Sequence, residues 1–133
     1  MTEAGQNGRP LVLVADDDAD ILTLVSFRLE RAGCEVIQAR NGDEALELAL
    51  ARVPDLAVLD VMMPGLDGYA VTRELRARET TRALPIILLT ARAQAEDVAR
   101  GLEAGADDYV KKPFDARDLR ERVQHMLDSK TVS

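Results

Sequence analysis

Asp16, Asp17 and Asp60 are the residues best suited to do chemistry. Leu11 to Ala15 is an apolar run that leads into Asp16, Asp17 and Asp18, and Leu56 to Leu59 leads into Asp60. Two further strand candidates end in polar groups. Ile86 to Leu89 ends in Thr90, and Asp108 to Lys111 ends in Lys112-Pro113. Two like charges about 4 Å apart repel by roughly 4 kcal/mol at an effective dielectric of 20. An acid cluster therefore raises a pKa or recruits a cation. Oxygen ligands in a partly watered site favour a hard ion such as Mg²⁺. A carboxylate is also a covalent phosphoryl acceptor. Phosphoryl transfer asks for alignment and charge neutralisation more than for elaborate acid–base chemistry. Mg²⁺ and Lys112 would supply positive charge from two sides, and Thr90 a hydrogen bond to a phosphoryl oxygen. These residue types predict a phosphorylation site.

The elements that must position them follow from periodicity. The run before Asp60 is short and bounded by Pro54 and by Pro64-Gly65, so it reads as a buried strand. Residues 11–15 read the same way, buried on both faces as in a parallel sheet. Strands are also expected near 34–38, 85–90 and 108–111. Helices are expected over 19–32 (Ile21, Leu22, Val25 and Leu29 inward, ending at Gly33), 42–52, 68–78, 96–104 and from Asp115 onward. The helix over 96–104 is weak. It is expected to bury only Val98, Leu102 and alanines, and its interior Gly101 costs about 1 kcal/mol relative to alanine. Strict alternation of strand and helix predicts an α/β fold, a parallel sheet with helices on both faces and right-handed crossovers. The acids would then line the carboxyl edge of that sheet, where open α/β folds place their sites.

Composition narrows the function classes. The chain has 133 residues, enough for one domain. It carries 24 acidic and 17 basic residues, a net charge of -7. That balance argues against direct nucleic-acid binding, which needs a basic face. Cys34 is the single cysteine, so no internal disulfide forms. No apolar stretch is long enough to span a bilayer, and the polar start lacks a signal-peptide core. A cytoplasmic, non-membrane protein is expected, with a tail over 1–10, a domain over 11–128 and a tail over 129–133.

The motifs together resemble the receiver domains of two-component response regulators. The resemblance rests on the acid pair after the first strand, on Leu-Asp-Val-Met-Met-Pro-Gly-Leu-Asp-Gly from Leu59, on Thr90-Ala91, and on Lys112-Pro113-Phe114. It runs from about Leu11 to Asp128. It implies a flavodoxin-like (βα)5 fold with strand order 2-1-3-4-5. It implies Asp60 as phosphoacceptor and Thr90 as switch hydroxyl. Tyr109 is the corresponding switch aromatic and Lys112 the phosphoryl-binding lysine. The metal, Mg²⁺, would be held by Asp16, Asp17, Asp60 and the backbone carbonyl of Met62, with Asp17 and Asp60 as direct ligands and Asp16 acting through water. Lys111 is also available, but adjacency to Pro113 selects Lys112. The bond between Lys112 and Pro113 is cis in the family. Met62 and Arg92 stand at positions that tune phosphoryl lifetime.

The expected function is a signalling switch rather than an ordinary enzyme. A sensor histidine kinase or phosphotransfer protein would phosphorylate Asp60. The face built by the fourth helix, fifth strand and fifth helix would change and engage a downstream effector or output domain. A monomer or weak dimer is expected before phosphorylation. Dimerisation afterwards would draw on Asp107, Asp108, Asp118 and Arg122, although Val98 replaces a basic residue usual in dimerising relatives. Two alternatives differ in class. One is a receiver-like binding module that takes no phosphate; such forms lose the acids, the threonine or the lysine, all kept here. The other is an aspartyl-phosphate phosphohydrolase, which expects a second acid where Met62 stands. Plain roles suit the rest. Asp18 and Asp20 are helix-start charges, Cys34 a small buried hydrophobe, and His125 a surface or half-buried residue. Arg117, Arg120 and Arg122 form a solvated helix face.

Overall fold

Five short runs pair into one parallel sheet: β1 (Leu11–Ala15), β2 (Glu35–Ala39), β3 (Leu56–Asp60), β4 (Ile86–Thr90) and β5 (Asp108–Lys111), in the order β2-β1-β3-β4-β5. The computed structural model describes residues 8–91 and 94–132. The connecting helices are α1 (Ala19–Arg31), α2 (Gly42–Arg52), α3 (Gly68–Arg76), α4 (Ala95–Ala104) and α5 (Ala116–Val132). Among the described residues, no helix is long and apolar enough to cross a membrane.

The apolar runs of β1, β3 and β4 are 0% exposed throughout, because helices cover both faces of the sheet. Side chains alternate between those faces. Leu13, Ala15, Leu59, Ile86 and Leu88 join Val71 and Leu75 of α3 and Ala45 and Ala49 of α2 in one core. Val12, Val14, Val58, Ile87 and Leu89 join Leu22, Val25 and Leu29 of α1 and Leu119, Val123 and Leu127 of α5 in the other. Each fully buried aliphatic side chain contributes about 1.5–3 kcal/mol of transfer free energy, so the central strands are the anchor of the fold. Sheet order reverses direction between β1 and β3, which opens a crevice at their carboxyl ends.

Caps start the helices where the sequence predicts them. Asp18 accepts from the Asp20 and Ile21 N–H groups, Asn41 from Glu44 N–H, and Asp67 from Ala70 N–H. Asp115 accepts from Arg117 N–H ahead of α5. The Arg76 side chain ties the far edge together. It donates to the carbonyls of Gly105 (2.9 Å), Arg82 (3.0 Å) and Leu84 (2.6 Å) and to Asp107 Oδ2 (2.9 Å).

Three details differ from the sequence reading. Leu102 is 54% exposed rather than buried; the inner face of α4 is Gly101 and Ala104. α5 continues to Val132, past the tail expected from 129. Pro10 is tied to β2 rather than lying in a loose tail, because its carbonyl accepts Glu35 N–H at 2.8 Å. Within this single chain, Arg122 bonds Asp108 (2.8 Å) and Asp118 (3.0 Å), and Asp107 bonds Arg76. The remainder of the expected N-terminal tail, residues 1–7, and Arg92 lie outside the described residues.

Candidate functional site

β1 and β3 end side by side, and their register brings Asp16 and Asp60 to one edge. Asp16 is 0% exposed and Asp60 3%, whereas Asp17 is exposed to solvent. One carboxylate oxygen from each of the three lies within 4.8 Å of the others. Lys112 follows β5 and reaches back over the edge. Its Nζ stands 2.9 Å from Asp16 Oδ2 and 3.2 Å from Asp60 Oδ1. Its backbone N–H donates to Thr90 C=O at 2.6 Å, and the Lys112-Pro113 bond is cis.

The electrostatics follow from this packing. Asp60 has its carboxyl pushed up to about 6, first by burial and then by the charge of Asp16; Lys112 pulls the other way. Burial works to lower the Lys112 pKa, but Asp16 and Asp60 outweigh it and the net shift is upward. Lys112 is therefore a fixed cation between two carboxylates. One cation does not balance three acids, so the site retains net negative charge.

The donor set fits a hard divalent cation. Asp16 Oδ1 accepts Asp18 N–H at 2.9 Å. Its other oxygen, Oδ2, is buried and faces the Lys112 ammonium at 2.9 Å. That single ammonium is shared with Asp60, so the buried carboxylates are stabilised by further positive charge. With Asp17 and Asp60, Asp16 makes an all-oxygen cluster of the kind that holds Mg²⁺. Met62 follows on the β3–α3 turn with its side chain 58% exposed. No second acid stands where a phosphohydrolase would need one. Gly68 lets α3 begin against β3; a β-carbon there would lie 2.6 Å from Asp60 C=O.

Thr90 ends β4 with 0% exposure, one residue beyond the register partner of Asp60. Its hydroxyl is hydrogen-bonded to Tyr109 on the neighbouring β5. Burial first, and then Tyr69, push the Tyr109 phenol upward. Asp60 shares a sheet face with the α1 and α5 core, and Thr90 shares the other with Tyr109. Asp16, Asp17, Asp60 and Lys112 thus form one cluster at the sheet edge, and Thr90 and Tyr109 stand on the neighbouring strands beside it.

A profile of the response regulator receiver domain matches residues 12–124. The chain belongs to the response regulator receiver family. The receiver is 47% identical over 116 residues to the alkaline phosphatase synthesis transcriptional regulatory protein PhoP of Bacillus subtilis, covering 87% of this chain and 48% of that relative. The receiver thus spans about half the length of that relative. A Francisella response regulator receiver domain superposes with a TM-score of 0.86 at 37% identity, covering 92% of this chain and 99% of the other. The receiver domain of a sensor histidine kinase of Pseudomonas aeruginosa, described with a magnesium ion coordinated in its active site cleft, superposes at 0.84 with 34% identity, covering 91% and 99%.

Sequence reasoning missed two contributors to this region. Tyr69, at the start of α3, is 4% exposed, and its hydroxyl lies 2.8 Å from that of Tyr109. Gly101 is the second. A β-carbon there would lie 2.7 and 2.8 Å from the Tyr109 ring. A glycine inside a helical pattern signals a packing reason of this kind; nothing in the sequence pairs Tyr69 with Tyr109.

Proposed function

We propose that Asp60 accepts a phosphoryl group from a phosphohistidine of a sensor histidine kinase or phosphotransfer protein. A carboxylate oxygen of Asp60 attacks phosphorus, the P–N bond breaks, and imidazole leaves; the product is an acyl phosphate. The observation that carries the proposal is the buried Asp60, with Asp16 and Asp17 within 4.8 Å and Lys112 Nζ at 3.2 Å.

Asp16, Asp17, Asp60 and the Met62 carbonyl would hold Mg²⁺, which when bound offsets negative charge on the phosphoryl oxygens. Lys112 neutralises charge from the opposite side and orients the acceptor. Thr90 turns its hydroxyl from Tyr109 to a phosphoryl oxygen. The consequence is carried by α4, β5 and α5 to an output domain or separate effector. The chain is a switch whose only chemistry is on itself.

Intact mass after incubation with acetyl phosphate tests this. One phosphoryl adduct is expected with Mg²⁺, and none without Mg²⁺ or in Asp60→Asn. An adduct of equal yield in Asp60→Asn would overturn the assignment.

A further inference from the structure

Three hydroxyls in a line join the end of β4 to the first turn of α4. Thr90 is hydrogen-bonded to Tyr109. Tyr109 Oη lies 2.8 Å from Tyr69 Oη, and Tyr69 Oη donates to Asp97 C=O at 3.3 Å. Each hydroxyl has one proton to give. Tyr69 gives its proton to Asp97, so Tyr109 is the donor between the two phenols. With that proton committed, Tyr109 accepts from Thr90. All three protons point from the sheet edge towards α4.

Tyr69 is held where this direction requires it. It lies on α3, but α4 also grips it: Asp97 accepts its proton, and the Arg100 guanidinium sits 4.6 Å over its ring. Across from it, Gly101 leaves room for the Tyr109 ring. A phosphoryl group that draws the Thr90 proton removes only the bond Tyr109 accepts. The bond Tyr109 donates is untouched.

We propose that Tyr69 is a positioning residue of the switch: its hydroxyl keeps Tyr109 seated against Gly101 when Thr90 turns away, and ties that seat to the first turn of α4. The inference rests on the reading of Asp60 as phosphoacceptor. It makes the inward position of Tyr109 depend on Tyr69 as much as on Thr90.

Tyr69→Phe tests it, since the ring and its packing stay and only the hydroxyl goes. Hydrogen exchange of residues 95–104 is expected to quicken about 3- to 10-fold, the worth of one hydrogen bond. Tyr109→Phe removes the other partner of the same bond and should give a similar rise. The double variant should exchange more slowly than the product of the two single effects predicts, because the phenol–phenol bond they share is lost only once. Exchange unchanged in both single variants, or effects that add in the double, would overturn the inference. A packing role alone would leave Tyr69→Phe unchanged. The acetyl phosphate adduct, measured on the same samples, separates the two readings. No adduct in the wild type contradicts the phosphoacceptor reading. An adduct accompanied by unchanged exchange contradicts this one.

Discussion

The Tyr109 ring fills the space that a β-carbon on Gly101 would need, with ring atoms 2.7 and 2.8 Å from that position. Helix propensity alone favours Gly101→Ala by about 1 kcal/mol. The collision reverses the sign. Alanine must displace Tyr109 or α4, and overpacking of this kind costs about 1–3 kcal/mol. Urea unfolding should show Gly101→Ala to be the less stable protein. A net gain would mean that the ring is not seated there.

Asp60 is a liability to the metal-free fold. Its carboxyl is raised to about 6 by burial and by Asp16. Below pH 4 it is protonated both folded and unfolded, and costs nothing. Between pH 4 and 6 the unfolded chain ionises it more readily, so stability is lost as pH rises, and the loss is complete above pH 6. Asp60→Asn removes that penalty. In metal-free buffer at pH 7.5 the variant should be more stable by about 1 to 3 kcal/mol, and the gain should vanish below pH 4. Chemical denaturation across pH measures it. A variant less stable at neutral pH would contradict the electrostatic account.

Mg²⁺ should reverse the penalty in the wild type. A ligand that binds only the folded state stabilises by about 2.7 kcal/mol at a hundred times its Kd. The melting temperature should rise with Mg²⁺ and fall back with a chelator. Asp17→Asn removes one of the three clustered carboxylates, and most of the rise should go with it. A full Mg²⁺ shift in that variant would place the ion elsewhere.

Arg76 is the clasp of the opposite edge. Its planar guanidinium reaches three carbonyls and Asp107 Oδ2, which also accepts Ile86 N–H at 2.8 Å. Lysine keeps the charge but concentrates its donors on one atom, and cannot reach all four acceptors. Arg76→Lys should cost about 1–3 kcal/mol in urea unfolding. A neutral result would show that water replaces those bonds without loss.

The strands and the acid edge were legible in the sequence because each rests on a local signal. Continuous apolar runs closed by Pro54, Pro64-Gly65 and Thr90 mark strands buried on both faces, and a carboxylate that follows such a run must lie at the sheet edge. Leu102 was misread for the same reason in reverse. Spacing placed it inward, but α4 meets the sheet through Gly101 and Ala104, so its longer side chains are left outside. The Tyr69–Tyr109 contact spans 40 positions, and the Arg76–Asp107 pair spans 31. Neither has a local pattern, since both depend on where α3 settles against β4 and β5. Gly101 was legible only as a cost; its purpose needs the ring beside it.

The identity of the acceptor can be read directly. Borohydride reduces an aspartyl acyl phosphate to homoserine. After acetyl phosphate and Mg²⁺, reduction and peptide sequencing by mass spectrometry should place homoserine at position 60 and at no other aspartate. Homoserine at position 16 or 17, or none beside an intact phosphoryl adduct, would contradict the account.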